Sequence, residues 1–427
     1  MKYTGEALSE FKSKLRRFCS KQETIFWLES NNLNKMDHID QYELLVALGS
    51  EERLEITDIS NDLSDKLDEF WSGKSWKFFA LSYDLKNQLH KLESSSHDEL
   101  KWPLLYAIKP QVVISITHDG ALEIHGKNKE QVLFDINNST SHIEEDFRLS
   151  FSQSIDSMTQ SKHHEKVLEI KRHIAEGDMY EMNLCMETVL KDFHCNNTFE
   201  LFHRLSKQSP TPFGSFVRVG NKSVACASPE RYLSKRGNRI YSQPIKGTSK
   251  CYNDDHLDYQ SKLHLANSIK ERAEHVMIVD LVRNDLSQIC LPGSVRVEEL
   301  FGIYKFKQVF QMISTVVGEL EADLAFSDFL KATYPMGSMT GAPKHIVMKF
   351  IDSIETTSRG WYSGTIGYQA PNGDFDSNVV IRSILCDSSK RVAKYSVGGA
   401  ITFDSDPTME YDECMLKSKA IRDLLST

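Results

Sequence analysis

Residues 228–250 read SPERYLSKRGNRIYSQPIKGTSK, and this stretch combines strand-like runs with two residues that can carry chemistry. The runs RYLSKR (231–236) and RIYSQPI (239–245) are separated by a glycine and an asparagine, which favours a strand, a turn and a second strand. Glu230 precedes the first run and Lys246 follows the second. Such a pair of strands can bring both side chains into one cleft.

Lys246 is open to two interpretations. A lysine next to a glycine is most often a solvated residue whose stem lies on the surface. Its amine becomes a nucleophile when burial or nearby positive charge lowers its pKa, and a carboxylic acid such as Glu230 can then protonate a leaving hydroxyl. The two residues alone leave both a surface charge and a catalytic amine possible.

The composition is that of an ordinary enzyme and excludes several classes of protein. Of 427 residues, 40% are hydrophobic and 26% are charged; the net charge is −9 and no run of lysine or arginine occurs, so no nucleic-acid partner is expected. The start, MKYTGEALSEFKSKLRRFCS, has no continuous apolar stretch, which argues against a secretory signal or a membrane span. Eight cysteines without a C-x-x-C pair predict a cytoplasmic chain.

The order of strand-like and helical segments predicts an α+β fold with large antiparallel sheets and peripheral helices. The segment VVISITHDGALEIHG (112–126) is typical of a hairpin. Apolar spacing before Gly177 predicts a helix that this glycine caps. A long helix is expected from Asp258 to Leu286, and the last helix is expected to begin at Asp406 and Pro407.

Two predicted helices carry acids that can bind a metal ion. Glu410, Glu413 and Lys417 share one face of the last helix, and Glu274 enters an apolar part of the long helix. Carboxylates at such spacing can bind a divalent cation and leave positions open for an anionic substrate. The alternative is a solvated face of ion pairs.

Three further segments favour a ligand or a purely structural role. Gly398 and Gly399 lie within a strand pattern, where glycines mark either a close approach or a β-bulge. Arg382 alternates with apolar residues, so its guanidinium is expected to meet a carboxylate, from the protein or from a substrate. GSMTGAPK (337–344) lacks the spacing of a nucleotide-binding loop and is either an anion-receiving helix start or a turn with a cap.

Between Ser161 and Leu425, the order of the motifs resembles that of the chorismate-utilising enzymes. The motifs are GDMYEMNL, SPERYL, PIKGT, AEHVMIVDLVRND, GSMTGAPK, GTIGY, IRS, GGAITFDSDP and YDECMLKSKA. The resemblance implies an α+β unit of two packed, largely antiparallel β-sheets with peripheral helices. Residues 1–150 would form an N-terminal subdomain and residues 151–427 the chorismate-binding catalytic region, as parts of one integrated fold.

The resemblance also implies a set of site residues. A Mg²⁺ ion would be held by Glu274 and Glu413, with Glu410 close by. The positions that correspond to chorismate contacts are Gly247, Thr248, Tyr362, Thr365, Arg382, Gly398, Gly399 and Ala400.

Lys246 is similar to the lysine of those relatives that aminate chorismate at C4, whereas relatives that form anthranilate have alanine there. The resemblance implies that Lys246 attacks C2 while Glu230 assists the loss of the C4 hydroxyl. Ammonia from a separate glutamine amidotransferase subunit then expels the lysine. An anthranilate-forming enzyme and a non-catalytic regulatory subunit are the alternatives.

The sequence departs from the pattern of the amine-adding relatives in three places. Glu181 replaces the usual glutamine, GTSKCYN (247–253) lacks the arginines that often follow PIKGT, and Ala400 replaces the third glycine of a GGG segment. In addition, FWLES (26–30) only weakly resembles the segment that lines a tryptophan pocket in relatives.

Overall fold

The computed structural model describes residues 2, 5–31, 39–94, 96–139, 147–306, 309–322 and 324–426, which form eleven α-helices and 23 β-strands. The helices are α1 (Gly5–Cys19), α2 (Leu63–Trp71), α3 (Lys86–His90), α4 (Lys129–Asn137), α5 (Gln160–Glu176), α6 (Thr198–Gln208), α7 (Asp255–Asn267), α8 (Ile269–Ser287), α9 (Phe326–Thr333), α10 (Lys344–Ile354) and α11 (Pro407–Leu425). The strands are β1 (Thr24–Glu29), β2 (Tyr42–Leu48), β3 (Glu52–Ile56), β4 (Lys77–Leu81), β5 (Leu105–Lys109), β6 (Val112–Thr117), β7 (Leu122–Gly126), β8 (Leu149–Ser150), β9 (Gln153–Asp156), β10 (Glu181–Lys191), β11 (His194–Cys195), β12 (Phe213–Val219), β13 (Lys222–Ser228), β14 (Arg231–Arg236), β15 (Arg239–Gln243), β16 (Ile245–Lys250), β17 (Arg296–Lys305), β18 (Val309–Glu319), β19 (Gly341–Ala342), β20 (Thr365–Gln369), β21 (Phe375–Asn378), β22 (Ser383–Asp387) and β23 (Val392–Ile401).

Two large antiparallel sheets hold nearly all of the strands, which confirms the predicted fold class. The first sheet has the order β19-β10-β23-β22-β13-β12-β1-β2-β6-β7, and β9 also pairs with β10. The second sheet has the order β16-β18-β15-β14-β21-β20-β4-β5-β3, and β17 also pairs with β18. Strands from before and after residue 150 lie in both sheets. The division into residues 1–150 and 151–427 stays a prediction.

Local sequence signals place several elements where they were expected. β14 and β15 pair across a two-residue turn in which Gly237 has a φ of +61°, a conformation that glycine adopts readily. The predicted hairpin at 112–126 is confirmed by the pairing of β6 with β7. Gly177 ends α5 with a φ of +87°, and the Asp406 side chain accepts hydrogen bonds from the first backbone N–H groups of α11.

The prediction of one helix from Asp258 to Leu286 is wrong, because the helical conformation is interrupted at Ser268. This residue has an extended backbone, and its side chain accepts a hydrogen bond from the backbone N–H of Glu271. Serine favours such capping positions because its hydroxyl competes with the helix for nearby backbone groups. Helix α8 therefore starts at Ile269 and carries Glu274 in its second turn.

The two sheets pack face to face through an apolar layer. Phe26 of the first sheet is fully buried and belongs to one cluster with Phe78 and Tyr106 of the second. The centroid of its ring lies 5.8 Å from that of Phe78 and 6.5 Å from that of Tyr106. Burial of such aromatic side chains is the main stabilising contribution of this layer.

A buried ion pair between Arg359 and Glu355, 2.6 Å apart, joins the end of α10 to β10. Arg359 also donates to the carbonyl of Asn183 at 3.0 Å and to that of Met339 at 2.5 Å. Glu355 accepts from the backbone N–H of Cys185 at 2.8 Å. The pair thereby fixes one end of β10 against the 3₁₀ turn that contains Met339.

Two further features concern membrane-spanning helices and disulfide bonds. Within the described ranges, no helix combines the length and apolar character needed to cross a membrane. All eight cysteines are free thiols.

Phe26→Ala is expected to destabilise the fold by about 3–5 kcal/mol, because it leaves a cavity between the sheets. Thermal unfolding followed by circular dichroism measures the loss as a lower melting temperature. Phe134→Ala is the matched control, since this phenylalanine of α4 is 62% exposed. Equal melting temperatures for the two variants would contradict the proposed role of the apolar layer.

Candidate active site

Side chains from both sheets and two helices meet in one region, here named the acidic cleft. Lys246 lies on β16 of the second sheet, and Glu181 begins β10 of the first. Their ion pair joins β16 to β10, and one ion pair, between Lys270 and Glu410, joins α8 to α11. The cleft comprises six carboxylates and three lysines, which are Glu181, Glu230, Glu271, Glu274, Glu410, Glu413, Lys246, Lys270 and Lys417.

Lys246 is largely covered in this cleft and does not lie on the open surface. Its side chain is 12% exposed, and its Nζ donates to Oε1 of Glu181 at 2.8 Å. Burial alone would lower the pKa of Lys246, but the negative charges of Glu181 and Glu274 outweigh burial, so the pKa lies above its ordinary value. The amine therefore rests as an ammonium ion, whereas a nucleophilic amine must be neutral.

Glu230 lies immediately before β14 and is buried. Burial raises the pKa of its carboxyl to about 7, although the positive charges of Lys246 and Lys417 oppose that rise. A large fraction of Glu230 is thus protonated at neutral pH. A small cavity adjoins it, between β14, α8 and the turn at Ser338.

The acids of α8 and α11 face each other across Lys270. Its Nζ lies 3.8 Å from Glu274 and 3.6 Å from Glu410. Glu274 is nearly buried, its Oε1 has no hydrogen-bond partner in the described structure, and burial raises its pKa to about 7. Glu413 lies 2.7 Å from Lys417, whose charge lowers the pKa of Glu413. Lys270 thus lies between Glu274 and Glu410, whereas Glu413 is half exposed and pairs with Lys417. In the described structure, carboxylate oxygens of these three residues do not all lie within 4.8 Å of one another, and the metal site stays a prediction.

Gly247 and Thr248 follow Lys246 at an irregularity in the pairing of β16 with β18. Gly247 has a φ of +75°, and a Cβ there would lie 2.9 Å from both Glu271 and Leu265. The positive φ favours glycine here, and side chains of both α7 and α8 approach the strand at this position. Thr248 is exposed at the edge of the cleft.

Gly398, Gly399 and Ala400 lie on β23 in regular register with β10, so the β-bulge considered for them does not occur here. A Cβ on Gly398 would lie 2.7 Å from Sγ of Cys185, while one on Gly399 would lie 3.4 Å from Oε2 of Glu410. Lys417 donates to the carbonyl of Gly398 at 2.9 Å. This part of β23 therefore forms a wall of the acidic cleft.

The remaining predicted substrate contacts are Tyr362, Thr365 and Arg382. Tyr362 is buried with its hydroxyl 4.0 Å from Sγ of Cys185, and the Oγ1 of Thr365 is buried without a hydrogen-bond partner in the described structure. Arg382 precedes β22 with a φ of +51°, so its expected place inside a strand is wrong. No carboxylate of the described ranges forms an ion pair with its half-buried guanidinium.

Sequence reasoning missed two members of the cleft. Lys270 had a signal, since it stands four residues before Glu274 on a helix. Glu181 was noticed only as a departure from related sequences, and nothing local indicated its pairing with Lys246. His275 is buried and its Nε2 lies 2.7 Å from Oγ of Ser314, which agrees with a structural role.

A second cavity has a lining that shares no residue with the acidic cleft. Its lining includes Leu28, Glu29 and Ser30 of the FWLES segment, together with Tyr42 and Phe213.

The fold and cleft define an α+β enzyme scaffold with a buried lysine among acids, and comparison with known proteins names its class. Residues 12–423 match the family model described as chorismate binding enzyme. The chain belongs to the chorismate-binding enzyme family. In structure it is similar to anthranilate synthase component I from Streptococcus pneumoniae, with a TM-score of 0.78, 24% identity and coverage of 90% of this chain and 92% of the other.

Curated relatives add names within the family. The chain is 42% identical to the probable chloroplastic aminodeoxychorismate synthase of Oryza sativa subsp. japonica, over 58% of this chain and 28% of the rice protein. It is 36% identical to aminodeoxychorismate synthase component 1 of Salmonella typhimurium, over 64% of this chain and 60% of that protein. It is 37% identical to anthranilate synthase component 1 of Haloferax volcanii, over 63% of this chain and 51% of that protein. The aligned region thus spans less than two thirds of each of these relatives.

Glu230→Gln is expected to stabilise the fold at alkaline pH. The unfolded carboxyl ionises near pH 4.5, but in the cleft its pKa is about 7, so stability is lost as pH rises through this window. Glutamine removes that loss, which is about 3 kcal/mol for this shift. Melting temperatures should therefore exceed those of the wild type clearly at pH 8 and only slightly at pH 5. An equal gain at both pH values would contradict the raised pKa.

Proposed function

We propose that this chain is the chorismate-aminating component of an aminodeoxychorismate synthase. It would convert chorismate and ammonia to 4-amino-4-deoxychorismate, the precursor of para-aminobenzoate. Membership of the family and the names of two relatives support this reaction. The observation that carries the proposal is the burial of Lys246 in the acidic cleft that also contains Glu230.

In the proposed first step, Nζ of Lys246 forms a bond to C2 of chorismate. The C1=C2 electrons move to C1–C6, the C5=C6 electrons move to C4–C5, and the C4–O bond breaks. Glu230 donates a proton to the departing oxygen, which leaves as water. The raised pKa of Glu230 supports this role, because a general acid must still hold its proton near neutral pH.

In the second step, ammonia forms a bond to C4, the C4=C5 electrons move to C5–C6 and the C1=C6 electrons move to C1–C2. The C2–N bond breaks in the same step, and its electron pair leaves with Lys246 as a neutral amine. The carboxylate of Glu230 regains its proton from an ammonium ion, which becomes the ammonia that attacks. Chorismate and ammonium thus give aminodeoxychorismate and water, with Lys246 and Glu230 restored.

Substrate binding would use the backbone and side chains that border the cleft. Arg382 supplies a cation that no described carboxylate pairs with, which suits a carboxylate of chorismate. The partnerless Oγ1 of Thr365 and the hydroxyl of Tyr362 supply polar contacts from the second sheet. The other proposed contacts are Gly247, Thr248, Gly398, Gly399 and Ala400.

The donor set of α8 and α11 fits Mg²⁺, which prefers a few carboxylates, substrate oxygens and water. Glu274 offers a buried oxygen without a hydrogen-bond partner, and Glu413 and Glu410 lie on the facing helix. A divalent cation held there would supply the positive charge that anchors and orients the ring carboxylate of chorismate.

We further propose that a separate glutamine amidotransferase subunit supplies ammonia. The words "component 1" in the name of the Salmonella relative support the existence of a partner. A cytoplasmic location is proposed as well, since the eight free thiols suit a reducing compartment.

Product identification by mass spectrometry tests the reaction. Purified chain with chorismate, Mg²⁺ and ammonium is expected to form aminodeoxychorismate, and Lys246→Ala is expected to abolish C4 amination while chorismate still binds. Lys250→Ala is the matched control, because this exposed lysine lies on the same strand and should leave turnover unchanged.

Anthranilate as the product would instead support the function of the Haloferax relative. Unchanged turnover of Lys246→Ala would refute the lysine mechanism, and failure to bind chorismate would favour a non-catalytic subunit.

Glu274→Gln is expected to weaken Mg²⁺-dependent chorismate binding by roughly tenfold or more, because it removes a negatively charged ligand from the proposed site. Calorimetric titration of chorismate at several Mg²⁺ concentrations measures the effect. Asp280→Asn provides a control on the same helix, since Asp280 is exposed and pairs with Arg283. A normal magnesium dependence in Glu274→Gln would rule this ligand out.

A further inference from the structure

Glu181 is held firmly against Lys246 at the start of β10. Its carboxylate is buried, with 1% exposure, and Oε1 accepts the 2.8 Å hydrogen bond from Nζ. The backbone N–H of Tyr180 donates to the carbonyl of Ala342 at 2.8 Å, and a Cβ on Gly341 would lie 2.0 Å from the carbonyl oxygen of Glu181. Oε2 of Glu181 is buried and has no hydrogen-bond partner within the described chain.

Several charged or titratable groups face Lys246, but only the carboxylate of Glu181 forms an ion pair with it in the described structure. The others influence its charge from greater distance. They are Glu230 before β14, Glu271, Glu274 and His275 of α8, and Glu413 of α11.

The resting state of Lys246 presents a problem for the proposed reaction. With its pKa above the ordinary lysine value, fewer than about one amine in a thousand is neutral at pH 7. An ammonium nitrogen has no lone pair and cannot attack C2. The proton must therefore leave Nζ, and the nearest acceptor is the carboxylate already bonded to it.

We propose that Glu181 accepts the proton of Lys246 when chorismate binds, an inference that rests on the function proposed above. One N–H bond of Nζ breaks, an O–H bond forms on Glu181, and the lone pair left on nitrogen forms the bond to C2. When ammonia expels Lys246 as a neutral amine, the proton returns from Glu181 to Nζ. Exclusion of water by the bound substrate favours this transfer, because a dry cleft stabilises the neutral pair relative to the ion pair.

The transfer has a kinetic consequence that a simple ion pair lacks. The ion pair of ammonium and carboxylate contains the same number of protons as the neutral pair of amine and carboxylic acid. Protonation of Lys246 therefore does not make the rate of attack depend on solvent pH. If the lysine instead lost its proton to solvent before binding, the rate would rise tenfold per pH unit below the pKa of the amine. The pH dependence therefore separates a proton acceptor from a residue that only positions the amine.

The test follows the covalent step alone, with the full chain, chorismate and Mg²⁺ but no ammonium. Acid quenching and intact mass measurement detect the adduct of protein plus chorismate minus water. From pH 5.5 to 7, where about half or more of Glu230 is protonated, the wild-type rate is expected to vary less than threefold. Glu181→Gln keeps the size of the side chain but cannot accept the proton, so its rate should rise about tenfold per pH unit.

Either a tenfold rise per pH unit in the wild type or a flat profile in Glu181→Gln would overturn the inference while the proposed function stands. Absence of any wild-type adduct and of aminodeoxychorismate would instead overturn the proposed function. If Glu181→Gln does not fold, Glu181→Met carries the same expectations.

A second measurement needs no chorismate. Acetylation of Lys246 by acetic anhydride, followed by peptide mass spectrometry across pH, reports the protonation of the amine. In Glu181→Gln the midpoint should fall by at least about one pH unit, because the ion-pair partner is lost. Glu271→Gln removes the same charge from the same cleft without a bond to Lys246, so its shift should be smaller. An unmoved midpoint in Glu181→Gln would refute the coupling of the two groups.

Discussion

The buried ion pair between Arg359 and Glu355 fixes the geometry on which the acidic cleft depends. Burying two charges costs several kcal/mol unless nearly all of their hydrogen bonds are made. Here Arg359 contacts both oxygens of Glu355 and the carbonyls of Asn183 and Met339, while Glu355 also accepts from Cys185. Because Asn183 and Cys185 lie on β10 just beyond Glu181, the pair determines where Glu181 meets Lys246.

The same constraint reaches the opposite wall of the cleft. Asn183 and Cys185 pair directly with Ala400 and Gly398 of β23. Gly398 has no space for a side chain next to Cys185, so the two strands lie as close as their backbones allow. Lys417 of α11 then bonds to the carbonyl of Gly398, which sets the distance between the acids of α11 and this wall. Contacts through β10 and β23 thus connect the buried Arg359 to Glu181 on one side of the cleft and to the acids of α11 on the other.

The sequence predicted the parts of the fold that depend on local chemistry. Caps at Gly177 and Asp406 follow from backbone conformation and hydrogen bonding within a few residues, so they could be recognised directly. The break at Ser268 was missed because a polar cap inside a long helical pattern is a weak signal. The positive φ of Arg382 and the pairing of Glu181 with Lys246 depend on residues far apart in the chain, which single-sequence periodicity cannot detect.

The acidic cleft lowers the stability of the folded state, and this loss bears on whether the chain is catalytic or retains only the fold. Glu181 and Glu274 each bury a carboxylate oxygen without a hydrogen-bond partner in the described structure, and such a group costs about 1–3 kcal/mol. A neutral residue at position 274 would remove this cost, whereas one at position 181 would leave the ammonium ion of Lys246 without its ion-pair partner. Stabilising substitutions are easily found in evolution, so a subunit without chemistry would have no reason to keep the carboxylate of Glu274. Chorismate itself brings two further negative charges, so the excess of acids is useful only if a cation binds with it, and this requirement joins the proposed Mg²⁺ ion and the proposed substrate in one argument.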